Sequence, residues 1–528
     1  MLALPALAGC DSLLGVEYPH VITDDDLDES SAAMQVYSAV ALFECGYTAF
    51  GLFALGHEDT MSSVSGVGSG NNVFAPSAVA GLCDASDTSV AWFDQVMGTR
   101  VMLSNPTGTG AYDRLQAEWD LGDRGEHLSA IAAIYMAASL THLGEFMCDI
   151  SLDGSDLIPY DDVLAMAESW ITDRAFTHLA STGDFALPNG ISSSALLMAT
   201  ALRARIRWAR GDLAGAAADA QVVPQGFSAW ITREAGGERR NRIWFTNTFQ
   251  GYSAMMRLNR TWNGPTRRPN PATGQTWPAI IPFTGWISLG ITPDGRTLET
   301  NNVPVRFAEE ARNVVHVQVP CSASSPQPGC AIGAVQDRRV LHARKQTGLN
   351  PEVAFRYGTT SAGSDSVNIP YMTWEELTLI RAEHANQMGD QAGAVALINA
   401  IRASPSPIPP ATTMAPLPAI AGSYLTELSN GVVDNGLTDH DAVRYAILEE
   451  RRREFFSEAG RYWSTKLKNL DVLWFPRGEG AGLTYLYQGG VRLAMPDREY
   501  ERNPFLLARG GLAARGTGCD PVEAPDFP

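Results

Sequence analysis

The residues best suited to chemistry in this chain are aromatic. Trp244, Trp262, Trp277 and Trp286 punctuate a stretch from about residue 240 to 365 that is rich in Pro, Gly, Asn and Thr. An indole offers a flat apolar face that stacks on the CH groups of a sugar ring, and flanking Asn, Asp and Arg side chains can hydrogen-bond the hydroxyls. Such a set suits an open glycan site. Catalytic alternatives are weaker. Glycoside hydrolysis needs two carboxylates facing one another across a cleft, but Glu449, Glu450 and Glu454 share one segment with Arg451, Arg452 and Arg453, which points to ion pairing. No G-x-S-x-G elbow or H-E-x-x-H pair occurs, and the nine histidines are scattered. His57-Glu58 with Asp59 reads as surface structure rather than a metal site. The sequence assigns no catalytic residue, metal or cofactor.

The 528 residues are 45% apolar and 18% charged, enough to bury a large core and unlike a disordered chain. A net charge of −19 argues against a nucleic-acid partner, which needs a basic face to neutralise phosphates. No apolar run reaches the eighteen or so residues of a membrane-spanning helix; Ala130–Leu140 is too short. The Trp-bearing stretch exceeds an ordinary loop, and long loops on a rigid scaffold tend to carry function. A second loop, Ser62–Ser77, contains SGVGSGNNVFAPS, whose glycines lack the strand and helix context of a phosphate-binding fingerprint. It holds Asn71, Asn72 and Phe74.

The opening MLALPALAGC resembles a bacterial lipoprotein cleavage box, with Cys10 taking the lipid. A basic n-region is lacking, so the true start codon is expected to lie upstream. Acidic residues from Asp24 to Glu29 then read as a solvated tether. The other six cysteines permit disulfides in an exported protein. Cys321 and Cys330 bracket SASSPQPG and are the favoured pair, and Cys45 with Cys83 is a weaker one; no zinc spacing is present.

Two segments 178 positions apart repeat each other. Arg203-Ala204, Gly211-Asp212 and Ala214-Gly215-Ala216 match Arg381-Ala382, Gly389-Asp390 and Ala392-Gly393-Ala394. Each predicts a helix, a glycine turn and an Asp-capped second helix, as in tetratricopeptide pairs that must stack to bury their faces. In the later copy the first helix is expected from about Tyr371 to Met388. A weaker third copy is expected at Ile131–Phe146, with its turn at Gly144.

At Asp439–Lys468 the sequence DHDAVRYAILEERRREFFSEAGRYWSTKLK resembles the C-terminal signature of the SusD/RagB family of outer-membrane nutrient-binding lipoproteins. Glu450 to Glu454, Glu458, Gly460, Arg461 and Trp463 carry the match, while Ser464 or Thr465 stands where the family has Asp. Ile369-Pro370-Tyr371 with Glu376, Leu379, Glu383, Asn399 and Arg402, the Asp337-Arg338-Arg339 element and RLAMPDREYERNP at Arg492–Pro504 are similar to three further family segments.

The resemblance implies a mainly α SusD-like fold, with tetratricopeptide-like hairpins and a loop-rich, ligand-binding portion carrying short β elements such as Val314–Val319. It divides the chain into a signal remnant (1–9), a lipid-anchored tether (10–35) and a single body (36–528). Within the body lie an N-terminal helical part (36–230), the ligand-binding excursion (231–365), C-terminal helices (366–470) and C-terminal loops (471–528). The family concentrates ligand contacts in the excursion. Trp262, Trp277 and Trp286, with Asn71, Asn72 and Phe74, are therefore the candidate ligand-binding residues. The implied role is not enzymatic: a lipoprotein of the outer membrane, exposed at the cell surface, captures an oligosaccharide or peptide and delivers it to a TonB-dependent SusC-like transporter. The rival reading is a helical-repeat scaffold of the envelope that binds no small ligand.

Overall fold

A computed structural model describes residues 27–57, 61–63, 88–235, 239–241, 243, 256–258, 316–317, 342–344, 352–354, 366–405, 438–455, 458–470, 490–515 and 519–521. The fold is mainly α, and helices stacked in sequence order form its spine. Helix α1 spans Ala32–His57, α2 Thr88–Leu103, α3 Ala111–Ala117 and α4 Asp123–Phe146. Helix α5 (Tyr160–Ser169) runs through a π turn, Trp170–Ala175, into α6 (Phe176–Thr182). The two repeat copies become α7 (Ala195–Arg210) with α8 (Leu213–Gln221), and α9 (Trp374–Gln387) with α10 (Gln391–Ala403). Two further helices, α11 (Asp439–Glu454) and α12 (Arg461–Lys468), precede the short α13 (Asp497–Arg502) and α14 (Pro504–Ala508). Thus helix starts at Ala32, inside the expected tether, and short helices occupy part of the expected C-terminal loops.

The repeated letters explain the repeated geometry. Gly211 and Gly389 adopt left-handed φ values of 91° and 83°, closing α7 and α9 where a Cβ would be strained. Asp212 and Asp390 then accept from the backbone N–H of Gly215 (2.9 Å) and Gly393 (2.8 Å). A Cβ on either glycine would lie about 2 Å from the capping carboxylate. Ala204 and Ala382 are fully buried, letting neighbouring helices approach closely.

Helix α5 packs on α4 and α7, α8 on α9, and α11 on both α9 and α10. The third hairpin is therefore α4 with α5. Gly144 lies inside α4 rather than at a turn, because Leu164 and the Tyr160 carbonyl of α5 approach within 2.7 and 3.0 Å of where a Cβ would stand. Helix α4 is buried almost all round, as expected of an apolar central helix.

The C-terminal motif turns inward. Glu450, Arg451, Glu454, Glu458 and Arg461 are each at most 3% exposed, and Trp463 is fully buried. Local spacing suggests a solvated charged face, but these groups cross-link the stack. Arg402 Nη1 of α10 donates to Glu450 Oε2 at 2.9 Å. Glu383 of α9 accepts from Arg451 and, at 2.6 Å, from the Trp208 indole of α7, over whose ring Arg451 sits at 4.6 Å. Arg461 bridges Glu145 of α4 (2.8 Å) and Glu376 of α9 (3.0 Å), and Glu376 also holds Arg205 of α7 (2.8 Å). Burial alone would raise the Glu376 pKa, but the Arg205 and Arg461 charges outweigh it and hold the group at about 2. Burial, reinforced by the same arginines, pushes the neighbouring His142 down to about 3. Gly460 (φ 87°) is required because a Cβ there would meet Phe50 at 2.6 Å.

Small strand pairs complete the body. Strand β1 is Met61–Ser63, β2 Asp149–Ser151, β3 Leu157–Pro159, β4 Ser228–Ile231, β5 Met256–Leu258, β6 His316–Val317, β7 His342–Arg344, β8 Glu352–Ala354, β9 Ile369–Thr373, β10 Gly490–Arg492 and β11 Cys519–Pro521. Tyr371 therefore belongs to a strand, and α9 starts at Trp374 with Thr373 as its N-cap, because β9 pairs antiparallel with β4. Strand β10 pairs with β11, and Arg492 donates to the Glu145 carbonyl (2.6 Å) at the C-terminus of α4 while stacking 3.9 Å over Tyr160. A Cys148–Cys519 disulfide fastens this ribbon across a separation of 371 residues. Cys45 is also disulfide-bonded. The expected Cys321–Cys330 bridge lies outside the described residues.

Candidate ligand-binding insertion and its anchorage

Strands β4 and β9 are the two stems of the long excursion. Their register sets Ser228 opposite Thr373 and Ile231 opposite Ile369, so the chain leaves and re-enters the helical stack at one place. The Trp374 N–H donates to the Phe227 carbonyl at 3.0 Å, and α8 packs directly on α9 as though nothing intervened. The excursion is thus an insertion into a stack that is continuous without it. Above the stems Arg233 N donates to Asn368 Oδ1 (2.8 Å), and Asn241 Nδ2 to the Val367 carbonyl (2.9 Å).

Glu44 of α1 anchors this root. Its Oε1 accepts from Thr232 N (2.8 Å), and Oε2 accepts from Arg239 Nη2 (2.9 Å) and Arg233 Nη2 (3.4 Å). Glu44 is 1% exposed; burial raises its pKa, with Arg233 opposing the shift. Burial likewise lowers the Arg233 pKa to about 10, the Glu44 charge opposing and Arg239 adding to the fall. Spacing could not have revealed this node, because Glu44 and Thr232 are 188 residues apart.

The excursion and the N-terminal loop also meet. Strand β1, which opens the Ser62–Ser77 loop, pairs antiparallel with β5, with Met61 opposite Leu258 and Ser63 opposite Met256. Leu258 precedes Trp262 by four residues, and Ser63 precedes Asn71 by eight. Further along, β6 runs parallel to β7, which pairs antiparallel with β8, and β5 contacts β8. The β-like run at Val314–Val319 accordingly contains a strand at His316–Val317. Trp262, Trp277, Trp286, Asn71, Asn72, Phe74 and Cys10 themselves lie outside the described residues.

Glu450 is ion-paired, to Arg402 of α10. Side chains of Glu449 and Arg453 lie outside the described set. Among the described residues no cluster of three His, Cys, Asp or Glu is arranged to hold a metal, and no helix is long and apolar enough to cross a membrane.

Residues 336–466 match the family model described as SusD family. None of the curated proteins compared with the chain matches it. Among solved structures, NanU of Bacteroides fragilis is similar at 12% identity and a TM-score of 0.50, over 93% of this chain and 98% of that one. A Bacteroides vulgatus protein described as sugar binding aligns at 12% identity and a TM-score of 0.50, over 90% and 97%. A SusD superfamily protein from Bacteroides fragilis aligns at 11% identity and a TM-score of 0.50, over 91% and 99%. At such identities the likeness speaks for the fold alone, and it extends over nearly the whole of each chain. The chain thus carries, at residues 336–466, a segment matching the SusD family model, on a fold shared with a SusD superfamily structure.

Proposed function

We propose that this protein is a nutrient-capturing lipoprotein of the outer membrane, lipidated at Cys10, that binds an oligosaccharide at the cell surface and passes it to a TonB-dependent SusC-like transporter. The observation that carries this reading is the two-stemmed insertion. The helical stack presents it at one point, and the β1–β5 pairing joins it to the start of the N-terminal loop. Trp262, Trp277, Trp286, Asn71, Asn72 and Phe74 follow these two paired strands in sequence, which supports assigning them to one ligand site. Residues 231–365 form the ligand-binding unit, and residues 10–35 contain the link to the lipid. The family assignment and the sugar-binding description of one structural neighbour favour a glycan. Disulfides at Cys45 and Cys148 suit an exported chain.

The binding step has no chemistry of its own; uptake energy comes from the transporter. Indole stacking is worth roughly 0.5–1.5 kcal/mol per aromatic contact beyond area burial, so several rings are needed for a useful affinity. The test is calorimetric titration with a panel of oligosaccharides, followed by Trp262→Ala, Trp277→Ala and Trp286→Ala. The expected result is binding of one glycan class, weakened by at least one substitution with unchanged circular dichroism. Full affinity in the triple variant would remove these residues from the site.

A further inference from the structure

The ionic groups at the insertion root are unevenly satisfied. Among the described residues Glu44 is the carboxylate bonded to both Arg233 and Arg239, and its oxygens are already engaged by Thr232 and the two guanidinium groups. Glu234, which lies 3.2 Å from Arg239, is 70% exposed, so water largely screens it. The Arg233 side chain is only 1% exposed, yet its buried Nε and Nη1 find no acceptor among the described residues. A guanidinium stays charged and carries five donors. Burying one with two donors unmet and its carboxylate shared is unfavourable, and an anion reaching those donors would offset that cost.

We propose that the insertion root is an oxyanion subsite, with Arg233 as its buried donor and Arg239 as its rim, taking a carboxylate or sulfate group carried on the captured glycan. The nutrient would then be a uronic-acid or sulfated oligosaccharide rather than a neutral one. An overall acidic protein repels anions at long range, but at contact distance one buried guanidinium outweighs that mean field. The inference rests on the glycan-capture reading and sharpens it.

The test is a binding screen of the full chain against oligogalacturonate, hyaluronan and chondroitin sulfate fragments beside neutral galactan and β-glucan fragments, with sodium sulfate and sodium chloride as ion controls. The expected result is at least about tenfold tighter binding of an acidic fragment than of its neutral counterpart, weakening as salt rises. Arg233→Gln should abolish that preference, and the more exposed Arg239→Gln, which leaves the Arg233–Glu44 pair in place, should reduce it if the first variant fails to fold. Selective binding of neutral fragments would overturn the oxyanion subsite and leave glycan capture standing. Thermal stabilisation by sulfate or chloride without any acidic-glycan preference would overturn it in favour of a structural ion. Absence of binding to every fragment would also overturn it, with co-purification of a barrel transporter deciding separately whether the uptake reading survives.

Discussion

Arg461 joins two buried carboxylates, Glu145 and Glu376, that belong to helices from opposite halves of the sequence. Replacing it with Met leaves both anions without their shared partner, and the expected loss is about 3–5 kcal/mol in denaturant unfolding. Lys should recover only part, since one ammonium cannot reproduce the planar fork. Glu375 behaves oppositely. It is 3% exposed, its Oε2 has no partner, and burial together with the nearby Glu454 charge pushes its pKa up to about 8. A carboxyl raised in the folded state contributes stability that is complete below its ordinary value near 4.5 and lost as pH rises through about 8. Glu375→Gln should therefore gain on the wild type steadily between pH 5 and 8.5 in paired melting curves; a constant difference would contradict the shift. Comparing the two proteins at each pH cancels the opposing contribution of His142, shared by both. The types of these residues were legible as a family motif, but their burial was not. A Glu-Arg helix reads locally as a wet surface, and only packing against α7 and α9 turns it inward.

The helix pairs were the most legible elements, because glycine closure and Asp capping are local physics written within a dozen residues. Asp212→Ala and Asp390→Ala should each cost about 1 kcal/mol. The two losses should add, since each cap serves its own hairpin. Chemical denaturation of the single and double variants checks this. Elements misread from sequence are those fixed by distant partners. Tyr371 belongs to a strand because β9 pairs with β4, more than a hundred residues earlier. Gly144 marks the close approach of α5 rather than a turn. The aromatic candidates were legible as types, and the β1–β5 pairing that ties their two segments together was not, since nothing local to residues 61–63 announces a partner near 257.

On the scale of the whole molecule, the C-terminal ribbon is held to the central helix by Cys148–Cys519. Spacing favoured the short-range Cys321–Cys330 pair and gave no sign of a bridge between such distant cysteines. Cys519→Ser should lower stability by about 2–4 kcal/mol, and adding Cys148→Ser should cost little more, as both remove one bridge. Beyond stability, the molecule is a helical stack carrying an insertion on the β4–β9 stems, and the role proposed for this assembly is nutrient uptake. The most direct measurement is a mild-detergent purification of the native lipidated protein from its outer membrane, with mass spectrometry of what accompanies it. A large TonB-dependent β-barrel at near-equal stoichiometry is the predicted result. Recovery of the protein alone, or with unrelated envelope proteins, would contradict the uptake role and favour a helical-repeat scaffold without a transported ligand.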